Sequence, residues 1–356
     1  MKYEYVKTQE AVGMVIPHDI TGIKKGEFKG VKFKKGHVIT EQDVPELLSL
    51  GKEHIYSMHL EPGEVHEDEA GERIARAAVG QGVELKGPSE GKIDFFASRP
   101  GLLKINLRAL KKINSLPKVI MATFHNNSPV NSGGKLAGTR VIPLVVSEQV
   151  VSEVEDICRK EGPVISVEPY QKINMGVLVT GKEVYDGKVE DAFYPMLSKK
   201  AKQYGLDEPE VMYAPDDAEV ISSKIDSYIQ KEVEMIVVTG GMSVDPDDVT
   251  PMGIRNSGAQ IVKYGAPVLP GAMFLLAYYQ QRIPVVGIPA CGMFFDTTVF
   301  DLVFPRLLAG EKVTAEEISE LGHGGLCLQC DKCTYPNCSF GKGSVQSCKT
   351  MKFIKR

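Results

Sequence analysis

Residues 235–251 read Met235-Ile236-Val237-Val238-Thr239-Gly240-Gly241-Met242-Ser243-Val244-Asp245-Pro246-Asp247-Asp248-Val249-Thr250-Pro251, and they set the fold for the chain around them. An apolar run of strand length stops at a glycine pair, and a proline then opens a helical stretch. A strand that is apolar at every position has both faces covered, as in a parallel sheet. Paired glycines let backbone approach an anion closely, and Thr250 with Pro251 has the chemistry of a helix start. A plain turn flanked by solvated acids fits the same letters equally well.

Working outward, the pattern repeats from 173 to 308: Met175 to Thr180, a helix from Pro195 to Tyr204, Val211 to Ala214, a helix from Asp217 to Glu232, then Met235 to Thr239. A helix after Pro251, a strand near Ile261, the strand Val285 to Ile288 and a helix through Leu302 complete it. Such alternation predicts a doubly wound, mostly parallel α/β sheet. Val220, Ile221, Ile225, Tyr228 and Ile229 share one helix face, as do Met196, Leu197, Ala201 and Tyr204. Ligands of such sheets bind beyond the carboxyl ends of the strands. The segments there are Thr180-Gly181-Lys182-Glu183 running on to Asp191, Pro215-Asp216-Asp217, the glycine loop, and Pro289-Ala290-Cys291-Gly292.

The rest divides by composition into a small β-rich module over 1–60, a second α/β module over 61–168, the sheet domain over 169–310 and a Cys-rich tail over 311–356. Residues 24–35 hold six lysines and one glutamate, and 61–73 hold six acids and one arginine, so the two runs can pair. Thr40 and Asp43 resemble a capping box ahead of Val44, Leu47 and Leu48. His125 follows the strand Val119 to Thr123 and opens a polar loop suited to a turn or a substrate. Further strands are expected at Ile93 to Ala97 and Val141 to Val146, with helices at Asp68 to Val79, Ile105 to Ile113 and Ser147 to Lys160.

With 42 basic and 46 acidic residues the net charge is -4, which gives no field for nucleic acid or a membrane surface. No apolar run nears the roughly 18 residues of a membrane helix, so a cytoplasmic protein is expected. Cys327, Cys330, Cys333 and Cys338 fall within twelve residues, and thiolates so close favour metal, either an iron–sulfur cluster or Zn2+, over redox-active or free thiols. Cys348 and His323 are further ligand candidates.

The Thr-Gly-x-Glu after the first strand, the Pro-Asp-Asp after the second and the Thr-Gly-Gly-x-Ser loop ending in Asp-Val-Thr-Pro resemble the molybdopterin molybdenumtransferase family, which includes the C-terminal half of gephyrin. The resemblance covers residues 173–310 and implies a molybdopterin-binding fold that takes adenylylated molybdopterin, inserts molybdate with Mg2+ and releases AMP. It places Glu183, Asp216 and Asp248 at the catalytic acids, with Asp245 and Asp248 on the metal. Thr180, Gly181, Asp191, Thr239, Gly240, Gly241, Met242, Ser243 and Pro289 would hold the pterin and its phosphate. Carboxylates beside phosphate call for a hard cation between them. The partners implied are molybdate or tungstate, a second subunit in a homodimer, and a molybdenum enzyme. A non-catalytic pterin-binding carrier or sensor, and an adenylyltransferase, are the alternatives.

Overall fold

Met175–Thr180 and Met235–Thr239 are buried at every position, as strands covered on both faces must be. The structure, a computed structural model, describes residues 3–14, 16–24, 28–58, 61–89, 91–142, 144–242 and 248–343. The chain forms two compact units. Residues 1–99, 103–124 and 130–167 make the first, and 100–102, 125–129 and 168–356 the second. No helix among the described residues is long and apolar enough to cross a membrane.

The second unit is built on one six-stranded sheet, in the order Glu210–Ala214, Met175–Thr180, Met235–Thr239, Ile283–Ile288, Leu275–Tyr279, Gln260–Tyr264. The first four strands run parallel. The last two pair antiparallel, so the sheet is mixed at its far side. Leu275–Tyr279 was not anticipated from sequence, and its presence is what turns the edge around. Val177, Val179, Met235, Val237, Val286 and Ile288 pack beneath the helices Phe193–Gln203 and Val299–Leu308. Leu178, Ile236, Val238 and Val285 meet Ala218–Gln230 and Thr250–Asn256 on the opposite face.

One buried side chain ties helix to sheet. Tyr228 is fully buried, and its hydroxyl donates to the Val177 carbonyl at 2.7 Å and the Glu210 carbonyl at 3.0 Å. Burial pushes its pKa up, so the phenol stays protonated and can donate. Gly176 lies under the ring, where a Cβ would come within 2.7 Å of it, which explains a glycine inside a strand.

The first unit follows different rules. Residues 1–58 form two small hairpin-like pairings and the helix Asp43–Ser49 around Ile16, Phe33, Ile39 and Leu47. Of the expected capping box only half exists: the Thr40 amide and hydroxyl donate to Asp43 at 2.8 and 2.7 Å, and the helix starts from Gln42. Val83–Ser89, Lys92–Ala97, Lys135–Val141 and Val119–Thr123 form an antiparallel sheet. Its apolar face packs against Glu67–Ala78, Leu107–Asn114 and Glu148–Glu161. The strand expected over Val141 to Val146 is two strands, Lys135–Val141 and Val145–Ser147, in different sheets. Arg73 forks onto Glu148 at 2.7 and 2.8 Å and onto Glu155 at 2.9 and 3.1 Å, clamping two helices. The basic and acidic runs do meet, through Lys35 and Asp68 at 2.6 Å.

The cysteine-bearing segment is not a separate tail. Phe340 is 3% exposed and belongs to the core of the second unit, and the Tyr335 hydroxyl donates to the Asp301 carbonyl at 3.1 Å. Leu326 bridges to Leu269. Apolar side chains spaced among the cysteines pull the segment back onto the sheet domain.

Candidate functional site

The four parallel strands end level with one another, because Thr180 pairs with Ala214, Val179 with Thr239, and Thr239 with Ile288. The loops that leave them therefore converge on one rim. Gly240 and Gly241 both take left-handed φ, +83° and +53°. A Cβ on Gly240 would lie 2.3 Å from the Thr180 carbonyl oxygen, and one on Gly241 would lie 2.5 Å from the Thr250 hydroxyl. Only glycine fits either position, so the turn brings bare backbone to the rim.

Thr180 braces the turn from the neighbouring strand. Its hydroxyl donates to the Thr239 carbonyl at 2.8 Å and lies 3.1 Å from the Thr250 hydroxyl. Thr250 is fully buried as the first residue of its helix, so it does not cap in the way its place before Pro251 suggests. Thr239 is also fully buried, and its own hydroxyl oxygen finds no hydrogen-bond partner among the described residues. A buried orphan hydroxyl carries a desolvation cost of about 1–3 kcal/mol.

Met242 sits in the core with its thioether against Gly287, where a Cβ would meet Cε at 2.6 Å. Its carbonyl accepts from the Tyr264 hydroxyl at 2.9 Å. Burial pushes the Tyr264 pKa up, and the charge of Asp248 adds to the rise, so Asp248 faces this tyrosine. Ser243 and Asp245 lie outside the described residues. Pro289 is half-buried and leads into the 3-10 turn Ala290–Met293, where burial raises the Cys291 thiol.

The remaining acids bind backbone. Asp216 accepts from the Lys182 amide at 2.9 Å, and Gly181 donates to the Ala214 carbonyl at 3.2 Å, which stitches the first loop to the second. Asp217 caps Ala218–Gln230 by accepting from Glu219 and Val220 at 2.9 and 3.0 Å. Asp191 accepts from the Phe193 and Tyr194 amides at 2.8 and 3.2 Å and from the Tyr213 hydroxyl at 3.1 Å. Glu183 is exposed on the one-turn helix Lys182–Tyr185. The roles of Thr250, Tyr213 and Tyr264 escaped the sequence reading. Tyr264 had no signal, since it sits on an antiparallel strand that no motif marks.

Among the described residues no group of three or more His, Cys, Asp or Glu side chains could hold a metal ion. This corrects the expectation of Mg2+ at Asp245 and Asp248, of which Asp245 lies outside the described residues, and of an iron–sulfur cluster or Zn2+ at Cys327, Cys330, Cys333 and Cys338. At the rim, the neighbouring acid Asp216 is turned to the Lys182 amide. Cys348 lies outside the described residues. His125 is exposed in a turn whose Asn127 takes φ +60°, in line with a plain turn.

Residues 176–309 match the family described as "Probable molybdopterin binding domain", and residues 5–59 match "Domain of unknown function (DUF8806)". A CinA-like protein from Mycobacterium avium is 29% identical over 75 residues, 21% of this chain and 17% of that protein. A protein from Archaeoglobus fulgidus is 28% identical over 81 residues, 23% of this chain and 35% of that protein. The alignments thus span about a third or less of these relatives. Among solved structures, CinA from Thermoplasma acidophilum is 14% identical with a TM-score of 0.31, over 34% of this chain and 90% of that one. The tungsten cofactor synthesizing protein MoaB from Pyrococcus furiosus is 16% identical with a TM-score of 0.28, over 39% of this chain and 97% of that one.

These matches correct the family resemblance. Residues 176–309 match a probable molybdopterin binding domain, and curated relatives are CinA-like proteins rather than molybdenumtransferases. The transferase reaction, with molybdate insertion and AMP release from adenylylated molybdopterin, is corrected with it. The loop Pro289-Ala290-Cys291-Gly292 leads into a 3-10 turn with a half-buried thiol at Cys291.

Proposed function

We propose that the sheet domain binds molybdopterin, a phosphorylated pterin, at the carboxyl rim of its parallel strands and does so without transfer chemistry, as a carrier or sensor. The observation that carries this reading is a coincidence of place. The stretch matching a probable molybdopterin-binding domain, residues 176–309, is the one whose strands end level around a glycine turn that no side chain could enter. Backbone at such a turn suits a phosphate, and half-buried Pro289 and the Gly181 loop border the same edge. Thr180, Gly181, Thr239, Gly240 and Gly241 shape the pocket, and Asp216 positions its first loop. Glu183, Asp248 and Ser243 belong to the ligand side of the proposal. Asp191 and Met242 act as supports, through a helix cap and a core contact. The holder of the cofactor would pass it to, or report it for, a molybdenum or tungsten enzyme, and a homodimer is part of the same proposal.

The test is a fluorescence titration of the full-length chain with reduced molybdopterin in the absence of air. Saturable binding is expected, weakened about tenfold in Asp216→Ala, which frees the Lys182 amide without touching the core. No AMP or pyrophosphate should appear in the same mixture. Absence of binding by the wild-type chain, or equal affinity in wild type and Asp216→Ala, would count against the reading.

A further inference from the structure

Cys327, Cys330, Cys333 and Cys338 all line one pocket of about 260 Å³, walled on its apolar side by Phe295 and Phe340. None is in a disulfide. They are not equivalent: Cys330 and Cys333 are exposed, whereas Cys327 and Cys338 are half-buried against the core of the second unit. The Thr297 hydroxyl lies 3.2 Å from the Cys333 sulfur, within reach to donate to a thiolate. Burial pushes the Lys342 ammonium down while the neighbouring Cys338 sulfur opposes that shift, so a lysine lies beside the pocket. An exposed nucleophile, a sheltered second thiol at Cys-x-x-Cys spacing and a nearby cation are the elements of disulfide exchange.

We propose that this pocket is a thiol–disulfide exchange site for low-molecular-weight disulfides. The thiolate of Cys330 or Cys333 attacks one sulfur of R–S–S–R. A protein–S–S–R bond forms, and R–S⁻ leaves with the electron pair and takes up a proton. Cys327 or Cys338 then loses its proton and attacks the protein sulfur of that mixed disulfide, expelling the second R–S⁻. Two protein thiols are oxidised to one disulfide, and the small disulfide is reduced to two thiols. Apolar walls favour a compact ligand, and the exposed pair lets it enter first.

The two other described cysteines serve as internal controls. Cys158 is buried, and burial pushes its thiol up to about 11, while Cys291 is raised by burial in the same direction. The fully reduced full-length protein is mixed with oxidised glutathione, and intact-mass and peptide mapping follow the products with time. Exposed-pair adducts are expected first, at least about tenfold faster than at Cys158 or Cys291, and then convert to an internal disulfide without bound glutathione. Cys327→Ser with Cys338→Ser should hold the adduct and stop the second step. Cys330→Ser with Cys333→Ser should lose the first step, which keeps the test decisive if the other pair misfolds. The proposal is overturned if the four thiols react no faster than Cys291, or if the wild-type adduct persists as it does in Cys327→Ser/Cys338→Ser. Reduced protein that carries stoichiometric zinc or iron blocking the reaction would overturn it too.

Discussion

Two glycine turns, one at Gly133 in the first unit and one at Gly240 and Gly241 on the rim of the second unit's six-stranded sheet, use glycine in different ways. In the first, Gly133 sits at a turn with φ +77° and open space around it, and charged groups such as Arg73 meet partners at the edges of helices. At the rim of the second, Gly240 and Gly241 have no free space at all, and the Thr239 hydroxyl is buried without a partner among the described residues. Glycine in the first case relieves backbone strain alone. In the second it also makes room, and an unpaired polar atom is tolerated beside it.

The largest effect should come from breaking that close approach. Gly241→Val combines a left-handed φ with a Cβ 2.5 Å from the Thr250 hydroxyl, so it should destabilise by about 3 kcal/mol or more. Gly133→Ala has the same kind of φ but nothing within 4 Å, and should cost about 1 kcal/mol. Urea unfolding of the full-length chain measures both. Equal losses would show that backbone strain alone matters and would remove the distinction between the two turns.

Next in size is Arg73→Ala in the first unit, which deletes a fork onto Glu148 and Glu155 and leaves those carboxylates without their cation. The clamp is partly exposed, so a loss of about 1–2 kcal/mol is expected, reduced by high salt. In the second unit the reverse sign is expected from deleting a polar group. Thr239→Val swaps an unpartnered buried hydroxyl for a methyl of similar shape and should stabilise by about 1 kcal/mol. A loss of stability in Thr239→Val would mean that the hydroxyl has a partner after all, and the contrast with Arg73 would collapse.

The same contrast explains what could be read from the letters. Val119–Thr123 and Met235–Thr239 were legible to the residue because each is a short unbroken apolar run, whereas the alternating burial of the first emerges only in the fold. Leu275–Tyr279 was missed because its apolar run begins directly after Pro270 and Gly271, where a loop is the ordinary expectation, and its direction depends on pairing with Ile283–Ile288. At the rim, the glycine turn could be seen from local sequence. The bracing of Gly241 by Thr180 and Thr250 could not, since the two threonines are 70 residues apart and meet only through the sheet. Asp191 and Asp217 read as functional acids or helix caps with equal right, and only hydrogen-bond geometry separates the two.

The smallest effect sharpens the comparison from the side of the first unit, where charge rather than space sets the contacts. His66 is 8% exposed; its Nε2 lies 2.8 Å from the Pro17 carbonyl and its Nδ1 lies 2.7 Å from the Lys35 ammonium. Those partners fix the neutral tautomer, with Nε2–H donating to Pro17 and Nδ1 accepting from Lys35 and from the Asp68 amide at 3.2 Å. Burial, then the Lys35 charge, lowers the His66 pKa from 6.5, while Asp68 and Glu69 oppose the shift. Folded His66 therefore holds its proton less tightly than unfolded His66 does. In the window between the two pKa values the unfolded chain binds more protons, so stability falls as the pH drops below 6.5 and levels off once folded His66 is protonated. Asp43, held at about 2 mainly by its hydrogen bond to His37, loses its contribution only as the pH falls below its ordinary 3.8, so the His66 loss begins at higher pH. A urea midpoint that drops as the pH is lowered through 6.5 in the wild type, and drops less in His66→Gln, is the expected result. Parallel curves for the two proteins would assign the acid sensitivity to other groups and leave Lys35 and Asp68 as an ordinary surface pair.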